Sequence, residues 1–501
     1  MSIALMLEMA STSHPDRDAV VDGDLRLSVA QLSELVDGAA AVLIAAGAKH
    51  VAYVGTGGLM VPLLLFGAAR AGIPFTPLNY RLSGESLHEL IGRLPAPLVV
   101  TDDEYLPIAT TLNNQAMPHS HFLRVARRSV LGTVPAEPRG DDVAVVLFTS
   151  GTTSRPKAVE LSHTNLTTYV TGTVELAGSE PTDAILVCVP PYHIAGVGAA
   201  LTNVYAGRTM VYLRQFDPHR WVQLVNDERI TTATVVPTML DRIVSVLEKQ
   251  ALSLPSLRNL AYGGSKVSLP LVRKALELLP DVGFVNAYGL TETSSTISVL
   301  TPEDHRVAAG ATQPSVARRL GSVGRPVPGI EIQVRGTGGE ILGPGQTGEL
   351  FVRGAQVSGR YAEIGSALDE DGWFPTRDLA SIDAEGFLFL GGRSDDTIIR
   401  GAENIAPAEV EDVLVEHPLV HEVAVVGIDD PRWGQIIIAV VVPEAGAQPD
   451  PEELRQHVRA RLRGSRTPDR VVFREELPTN ATGKVVRRAL VDSLRSAEVR
   501  P

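Results

Sequence analysis

Residues 144–166 read A-V-V-L-F-T-S-G-T-T-S-R-P-K-A-V-E-L-S-H-T-N-L. The apolar, β-branched run from Val143 to Phe148 predicts a buried strand. A hydroxyl-rich loop follows it, made of Thr149, Ser150, Gly151, Thr152, Thr153 and Ser154. A glycine lets successive backbone N–H groups converge on an anion, and Lys157 adds a point positive charge after a stiff proline. The loop predicts a polyphosphate site, although an isolated loop of this composition is equally typical of a polar surface turn.

The loop does not have the spacing of the Walker phosphate loop, which places Gly-Lys-Ser/Thr after four residues. The chain has 501 residues and 44% hydrophobic composition, enough for two or three domains. Its net charge of −13 argues against nucleic acid or an anionic membrane as the main partner. The single cysteine, Cys188, excludes intramolecular disulfides and fits a reducing cytoplasm. Val51–Ala69 carries no charge, but its glycines and Pro62 favour a strand, a turn and a buried helix over a membrane span.

Short apolar runs alternate with amphipathic stretches along most of the chain, which predicts an α/β fold. From residue 17 to about 140 we expect one such layer, and the strands from Ala184 to Asn286 predict a second doubly wound sheet. Residues 321–381 are rich in glycine and proline and predict a small β-subdomain. The segment 391–396 marks a domain boundary, after which about 105 residues have their own helix and strand pattern.

Other segments combine groups that suit a nucleotide. Val285–Thr293 leads a strand into a glycine turn and places Tyr288, Thr291 and Glu292 at the strand's carboxyl end, where α/β sheets bind ligands. A tyrosine can lie along a purine, a threonine can donate to a phosphate, and a glutamate can hold Mg²⁺. In Gly372–Asp378 the aspartate is suited to accept hydrogen bonds from both ribose hydroxyls. Each segment alone is also typical of a structural turn.

Segments spread from residue 66 to residue 484, in the same order, resemble motifs of the adenylate-forming superfamily of acyl-CoA synthetases, luciferase-like enzymes and peptide-synthetase adenylation domains. Besides the segments above they include Phe66–Tyr80, Arg400–Pro407, Asp429–Gly434 and Leu477–Lys484. The resemblance implies a large N-terminal domain at 1–392, made of two doubly wound sheets and a β-subdomain at about 321–390. A hinge at 393–396 and a small mobile α+β C-terminal domain at 397–501 follow.

The resemblance also implies roles for individual residues. Lys484, His193, Glu292 and Thr291 are the expected catalytic residues, and Glu292 also the expected Mg²⁺ ligand. The expected contacts to ATP or CoA are Thr149, Ser150, Gly151, Thr152, Thr153, Lys157, Gly263, Gly264, Tyr288, Asp378, Arg393, Gly401, Ala402 and Trp433. Asp395 falls on the hinge. The expected acid pocket contains His193, Gly196, Gly198 and Gly264; close helix packing explains the small residues after His193 equally well.

The expected reaction converts an apolar carboxylic acid to its CoA thioester through an acyl adenylate, with ATP, Mg²⁺ and coenzyme A. Four residues depart from the family's usual glycines, namely Ala402 in the loop expected to line the CoA tunnel, Ser154 and Ala158 in the phosphate loop, and Arg377 beside the ribose aspartate; the last three bear on adenylation. If such a residue needs a positive φ, the strain is about 1–2 kcal/mol. An alternative is therefore a member that does not adenylate and only performs thioesterification on an acyl adenylate supplied by a partner ligase.

Less favoured alternatives are transfer to a free-standing carrier protein and a non-catalytic nucleotide-binding homologue. We expect a cytoplasmic protein without a membrane span, and a homodimer is compatible with such folds. The identity of the acid is not readable from the sequence.

Overall fold

Four β-sheets organise the described part of the chain. The computed structural model describes residues 1–110, 116–132, 135–149, 156–393, 396–400, 403–462, 464–479 and 484–498. In chain order, the strands are β1 (Asp18–Asp22), β2 (Leu25–Ser28), β3 (His50–Val54), β4 (Phe75–Leu78), β5 (Pro97–Thr101), β6 (Ala116–Pro118), β7 (Val143–Thr149), β8 (Lys157–Ser162), β9 (Ala184–Val187), β10 (Thr209–Tyr212), β11 (Thr232–Val235), β12 (Asn259–Gly263), β13 (Gly283–Leu290), β14 (Ser295–Leu300), β15 (Arg325–Pro326), β16 (Glu331–Arg335), β17 (Gly348–Arg353), β18 (Arg360–Tyr361), β19 (Gly365–Ser366), β20 (Phe374–Ile382), β21 (Leu388–Arg393), β22 (Ile398–Arg400), β23 (Glu403–Ile405), β24 (Val420–Asp430), β25 (Gly434–Pro443) and β26 (Arg470–Phe473).

Capping serines and a left-handed glycine mark the ends of several helices. In chain order they are α1 (Ile3–Ser13), α2 (Val29–Ala45), α3 (Met60–Ala71), α4 (Gly84–Gly92), α5 (Leu106–Thr110), α6 (His119–Ala126), α7 (His163–Thr173), α8 (Ile194–Ala206), α9 (Pro218–Asp227), α10 (Pro237–Gln250), α11 (Leu269–Leu278), α12 (Pro302–Gly310), α13 (Pro314–Ala317), α14 (Pro407–Val415), α15 (Pro451–Arg461) and α16 (Arg487–Glu498). Ser28 and Ser162 close capping boxes on α2 and α7. Gly207 ends α8 with a φ of 75°, a backbone state that glycine adopts without strain.

Sheet A runs β15-β14-β13-β12-β11-β9-β10-β1-β2, and its six central strands are parallel. Sheet B runs β19-β18-β8-β7-β4-β3-β5-β6, and β6, β5, β3, β4 and β7 are parallel. The first two strands of the chain join sheet A instead of the layer that follows them in sequence, because β1 pairs with β10. The α/β fold class is confirmed.

The uncharged stretch Val51–Ala69 becomes β3 and α3, and α3 is buried between the two sheets along nearly its whole length. Among the described residues, no helix combines the length and the apolar character that crossing a bilayer requires.

Sheet C contains β16, β17, β20 and β21 in that order. Between β17 and β20 the chain leaves this sheet, and β18 pairs with β8 of sheet B through Tyr361 and Val159. We call residues 354–373 the crossover segment. Sheet D contains β22 to β26 and packs against α14, α15 and α16. The predicted domain limits at 392 and 397 stay a prediction.

Candidate functional site

A cavity of about 1910 Å³ lies at the carboxyl ends of the parallel strands of sheet A. Residues from all four sheets line it, and they come from both sides of the predicted hinge. Most of the predicted site residues that the structure describes lie on its wall. Those lining residues are Thr149, Lys157, His193, Gly198, Gly263, Gly264, Thr291, Glu292, Arg393 and Lys484.

A carboxylate is held rigidly beside the cavity. The Tyr288 hydroxyl donates to Asp378 Oδ2 at 2.5 Å, and Arg393 donates to Asp378 Oδ1 at 3.2 Å. Arg393 also donates to the carbonyl of Thr376, whose hydroxyl accepts from the Asp378 N–H. Burial, reinforced by the Asp378 charge, raises the pKa of Tyr288 well above its ordinary value. The Tyr288 hydroxyl therefore positions Asp378, and the predicted stacking of its ring on a purine stays a prediction.

The glycine pair Gly263 and Gly264 at the end of β12 is restricted in two ways, the first residue by space and the second by backbone conformation. A Cβ at Gly263 would lie 2.2 Å from the carbonyl oxygen of Ala287 on the neighbouring strand, and Gly264 has a φ of 84°. Behind them the Tyr262 hydroxyl donates to Nε2 of the buried His305 at 2.8 Å, since His305 Nδ1 faces the carbonyl of Thr301. The backbone at this edge is therefore smooth and fixed, as a flat ligand surface requires.

The cationic part of the site lies across the cavity, on the hairpin of β7 and β8. Thr149 and Lys157 are paired across it, and the Lys157 ammonium lies 5.3 Å from the centre of the Tyr361 ring. The Tyr361 hydroxyl donates to Glu292 Oε1 at 2.9 Å. Burial and the Glu292 charge raise the pKa of Tyr361, while the Arg377 and Arg393 charges oppose that shift. The predicted loop residues Ser150, Gly151, Thr152, Thr153 and Ser154 lie outside the described residues.

Sequence reasoning missed the crossover segment. Besides Tyr361, it contributes Glu363, whose carboxylate accepts from the Ala158 N–H at 3.2 Å and forms an ion pair with Arg93. Arg93 in turn donates to the carbonyl of Pro156 at 2.8 Å. These groups support the hairpin beside the predicted phosphate loop. Nothing in the sequence marks them, because their partners are more than 60 residues away and belong to another sheet.

Ala158 and Arg377, which stand where the family usually has glycine, differ in backbone conformation. Ala158 is an ordinary strand residue opposite Phe148 and is absent from the residues with positive φ, so it brings no strain of that kind. Arg377 has a φ of 61°. It lies on the cavity wall between Thr376 and Asp378, where β20 is bulged against β17. The strain expected for a non-glycine residue there is about 1–2 kcal/mol.

His193 opens the other half of the cavity. It precedes α8, and its Nε2 is buried without a hydrogen-bond partner among the described residues. Burial lowers the pKa of His193 to about 4, so the imidazole is neutral at neutral pH. Its ring packs 4.6 Å from that of Tyr192, whose hydroxyl is likewise buried and without a protein partner in the described chain.

Two glycines of α8 have different surroundings: Gly198 faces the cavity, whereas Gly196 packs against the preceding turn. A Cβ at Gly198 would lie 3.4 Å from the Tyr169 ring, and Gly198 faces the cavity. Gly196 does not line it: a Cβ there would lie 2.7 Å from the Pro190 carbonyl oxygen. The prediction that Gly196 belongs to the acid pocket is corrected, because its missing side chain lets α8 pack against the preceding turn.

Lys484 approaches from the C-terminal part of the chain. Crowding by protein atoms lowers its pKa, as does the nearby Arg393 charge, while Asp378 and Asp396 oppose the shift. The residue nevertheless keeps solvent exposure toward the cavity. The Lys484 ammonium and the Asp378 carboxylate therefore interact electrostatically.

Trp433 is a predicted site residue that lies off the cavity wall. It lies in the turn between β24 and β25, is 44% exposed, and does not line the cavity. The guanidinium groups of Arg400 and Arg432 each lie 5.4 Å from its ring. A role near the CoA entrance stays a prediction. Asp395, Gly401 and Ala402 lie outside the described residues.

The described residues contain no cluster of three or more His, Cys, Asp or Glu side chains placed to hold a metal ion. A single carboxylate such as Glu292, with the rest of the shell supplied by phosphates and water, is the usual arrangement for Mg²⁺ at a nucleotide.

Comparison with known proteins agrees with this geometry. The family model described as AMP-binding enzyme matches residues 7–362, and the AMP-binding enzyme C-terminal domain matches residues 409–484. The chain belongs to the AMP-binding enzyme family. Its likeness to adenylate-forming acyl-CoA synthetases is therefore confirmed.

Relatives extend over nearly the whole chain. An indoleacetate–CoA ligase of Aromatoleum aromaticum is 33% identical and covers 97% of this chain and 96% of its own length. A fatty acid–[acyl-carrier-protein] ligase of Streptomyces coeruleorubidus is 32% identical, with 95% and 93% covered. The o-succinylbenzoate CoA synthetase of Bacillus subtilis, solved with its acyl-adenylate intermediate, superposes with a TM-score of 0.85 at 28% identity, covering 97% of both chains. The first two of these relatives, at 33% and 32% identity, differ in both acid and thiol acceptor, so family membership leaves the acid and the acceptor of this chain open.

Proposed function

We propose that the protein is an acid–thiol ligase that converts a carboxylic acid to its CoA thioester through an acyl adenylate. The observation that carries the proposal is that Lys484, Lys157, Glu292 and His193 line one cavity beside the Asp378 carboxylate. That arrangement provides a ribose acceptor, cations for phosphates and a separate apolar branch for an acid.

In the first step, an oxygen of the carboxylate attacks the α-phosphorus of ATP, the bond from that phosphorus to the bridging oxygen breaks, and pyrophosphate leaves. Asp378 would hold the ribose, since Tyr288 and Arg393 already fix its two oxygens. Lys484 and Lys157 would offset the charge that develops on the phosphate oxygens. Gly263 and Gly264 would flank the adenine.

Glu292 fits an Mg²⁺ ion, because it offers a hard oxygen ligand opposite Lys157 and its other contact is a neutral phenol. When bound, the ion would neutralise phosphate charge. Tyr361 would then orient the carboxylate toward it.

In the second step, the sulfur of the CoA thiol attacks the acyl carbonyl carbon, its proton goes to solvent or base, and AMP leaves with the electron pair of the broken C–O bond. The resemblance implies that residues 397–501 rotate about Asp395 between the steps, bringing Gly401, Ala402 and Trp433 toward CoA. His193 is neutral, and its Nε2 has no hydrogen-bond partner among the described residues. It would contact the acyl carbonyl.

One observation favours a second candidate, a member that performs only the thioesterification step. Arg377 puts a strained backbone and a cation immediately before the ribose carboxylate, and an error of an ångström in nucleotide placement can cost about 10²-fold in rate. Such a protein would receive its acyl adenylate from a partner ligase. The thiol of a carrier protein is a further candidate acceptor, because one relative is a fatty acid–[acyl-carrier-protein] ligase.

The test separates the half-reactions on the purified protein. One assay follows ATP-dependent pyrophosphate release with a panel of carboxylic acids, and the other follows CoA consumption with a synthetic acyl adenylate. Activity in both supports the complete ligase. Thioester formation without pyrophosphate release, for an acid shown to bind, supports the second candidate. Inactivity in both assays with CoA and with a carrier protein would overturn the proposal.

A further inference from the structure

One branch of the cavity extends along three strands of sheet A, from their carboxyl ends toward their amino-terminal ends. Alternate residues of three adjacent strands line it, and alternate residues of a strand face the same side of a sheet. These residues are Thr232, Thr234, Ala261, Gly263, Val285 and Ala287. They lie in register, since Thr234 pairs with Ala261 and Ala261 pairs with Val285. The branch is therefore a tunnel along the strands, with α8 as its opposite wall.

Arg208 lies at the far end of this tunnel. It lines the cavity and precedes β10, so it belongs to the amino-terminal edge of sheet A, whereas Gly264 and Thr291 follow the carboxyl ends of β12 and β13. His193 precedes α8 and Gly207 follows it, and a helix of this length spans about 20 Å. An acid activated at the nucleotide would have to be long to reach Arg208.

The Arg208 guanidinium is held in place by neutral groups. Nη1 donates to Asn203 Oδ1 at 2.7 Å, and Asn203 is itself fixed because Nδ2 donates to the carbonyl of Ala199 at 2.7 Å. Asn203 is only 2% exposed. Arg208 Nε is buried and has no hydrogen-bond partner among the described residues. The cation is thus positioned by the fold, and no described carboxylate forms an ion pair with it.

The charged neighbours do not neutralise it. Asp183 is the nearby carboxylate, but it forms its ion pair with Arg258 and accepts from the Glu180 N–H at 3.1 Å. Arg258 adds a second positive charge. Burial lowers the pKa of Arg208, and the Asp183 charge offsets only part of this decrease. A partly desolvated guanidinium without a counter-ion costs free energy unless an anion reaches it.

We propose that Arg208 binds a second anionic group at the far end of the substrate, so that the preferred acids carry a carboxylate at each end of an extended chain. Resting on the proposed function, the proposal narrows the substrate class of the same site. A monocarboxylic acid of equal length would put a methyl group against Arg208 and leave the cation unpaired. The second carboxylate instead forms a charge-assisted hydrogen bond.

The experiment uses a homologous series of α,ω-dicarboxylic acids, each paired with the monocarboxylic acid of the same carbon number, in the pyrophosphate-release assay. For the chain length that spans the tunnel, we expect the wild-type protein to prefer the dicarboxylic acid by at least about tenfold in kcat/KM. Added salt should reduce that preference only weakly, because the site is partly buried.

Variants assign the preference to the residue. Arg208→Gln should abolish it by lowering kcat/KM for the dicarboxylic acid alone, and Arg208→Lys should retain part of it. Arg306→Gln is the matched control, because Arg306 is an exposed arginine of α12 that pairs with Glu303 and does not line the cavity. Its selectivity should equal that of the wild type.

Equal or better use of monocarboxylic acids at every length by the wild-type protein would overturn the inference, whether or not Arg208→Gln folds. Equal losses for both acids in Arg208→Gln would do the same. Failure of the proposed function looks different, since no acid of either kind would then release pyrophosphate or be transferred from its adenylate. In that case calorimetry with the two acids and AMP decides whether the tunnel still discriminates them.

Discussion

The two halves of the cavity differ in how their polar atoms are satisfied. On the nucleotide side, Tyr288 and Arg393 each fix one oxygen of Asp378, and Tyr361 holds Glu292. On the acid side, polar atoms of Tyr192, His193 and Arg208 are buried without partners among the described residues. A preorganised half suits a ligand common to a whole family, whereas unsatisfied groups await a particular substrate.

Lys484→Ala offers the harshest test of the preorganised half. The variant removes an ammonium that would offset the charge developing as the carboxylate attacks, so pyrophosphate release should fall by about 10²–10³-fold. Thioester formation from a synthetic adenylate should remain. Lys249→Ala, which removes an exposed lysine from the end of α10, is the control. Equal loss in both half-reactions would show that Lys484 acts on folding or domain position instead.

Tyr288→Phe should raise the KM for ATP by about tenfold, because the Asp378 carboxylate loses a charge-assisted hydrogen bond that fixes it. Steady-state kinetics at saturating acid measures the effect. Tyr212→Phe is the matched control, since the Tyr212 hydroxyl donates to the sulfur of Met210 at 3.6 Å and Tyr212 does not line the cavity. An unchanged KM would mean that Asp378 is positioned without the phenol.

His193→Phe tests the unsatisfied half through opposite effects on activity and stability. The kcat/KM for the acid should fall by about tenfold, while Tm should not fall, because the variant no longer buries a nitrogen without a partner. The pKa of His193 is lowered to about 4, so wild-type activity should show no break near the ordinary histidine value of 6.5. A drop in Tm with unchanged kinetics would contradict this reading.

Arg377→Gly should give the smallest effect, a gain of up to about 1 kcal/mol in the free energy of unfolding, because glycine adopts the observed φ of 61° without strain. Chemical denaturation measures it. Arg377→Ala removes the guanidinium but keeps the strain, so the two variants separate backbone from charge. A rise in pyrophosphate release in Arg377→Gly would support the thioesterification-only candidate, and no rise would count against it.

The sequence was sufficient to predict the α/β fold and ten residues of the cavity wall, because those residues lie in local motifs. It could not identify Tyr361, Glu363 or Arg93, whose relevance depends on the crossover segment changing sheets. Arg208 was equally invisible, since nothing beside it in sequence indicates a tunnel. Gly196 was misassigned because a missing side chain leaves room for a ligand or for a neighbouring turn, and only the packing distinguishes the two.

The crossover segment has a consequence for nucleotide length. Tyr361, which orients the expected metal ligand, and Asp378, the expected ribose acceptor, belong to one continuous stretch whose ends are anchored in sheets B and C. Residues 361–378 therefore set the spacing between the expected ribose site at Asp378 and the expected phosphate site near Tyr361. An insertion there would alter the discrimination between ATP and shorter adenine nucleotides while leaving each individual contact chemically intact.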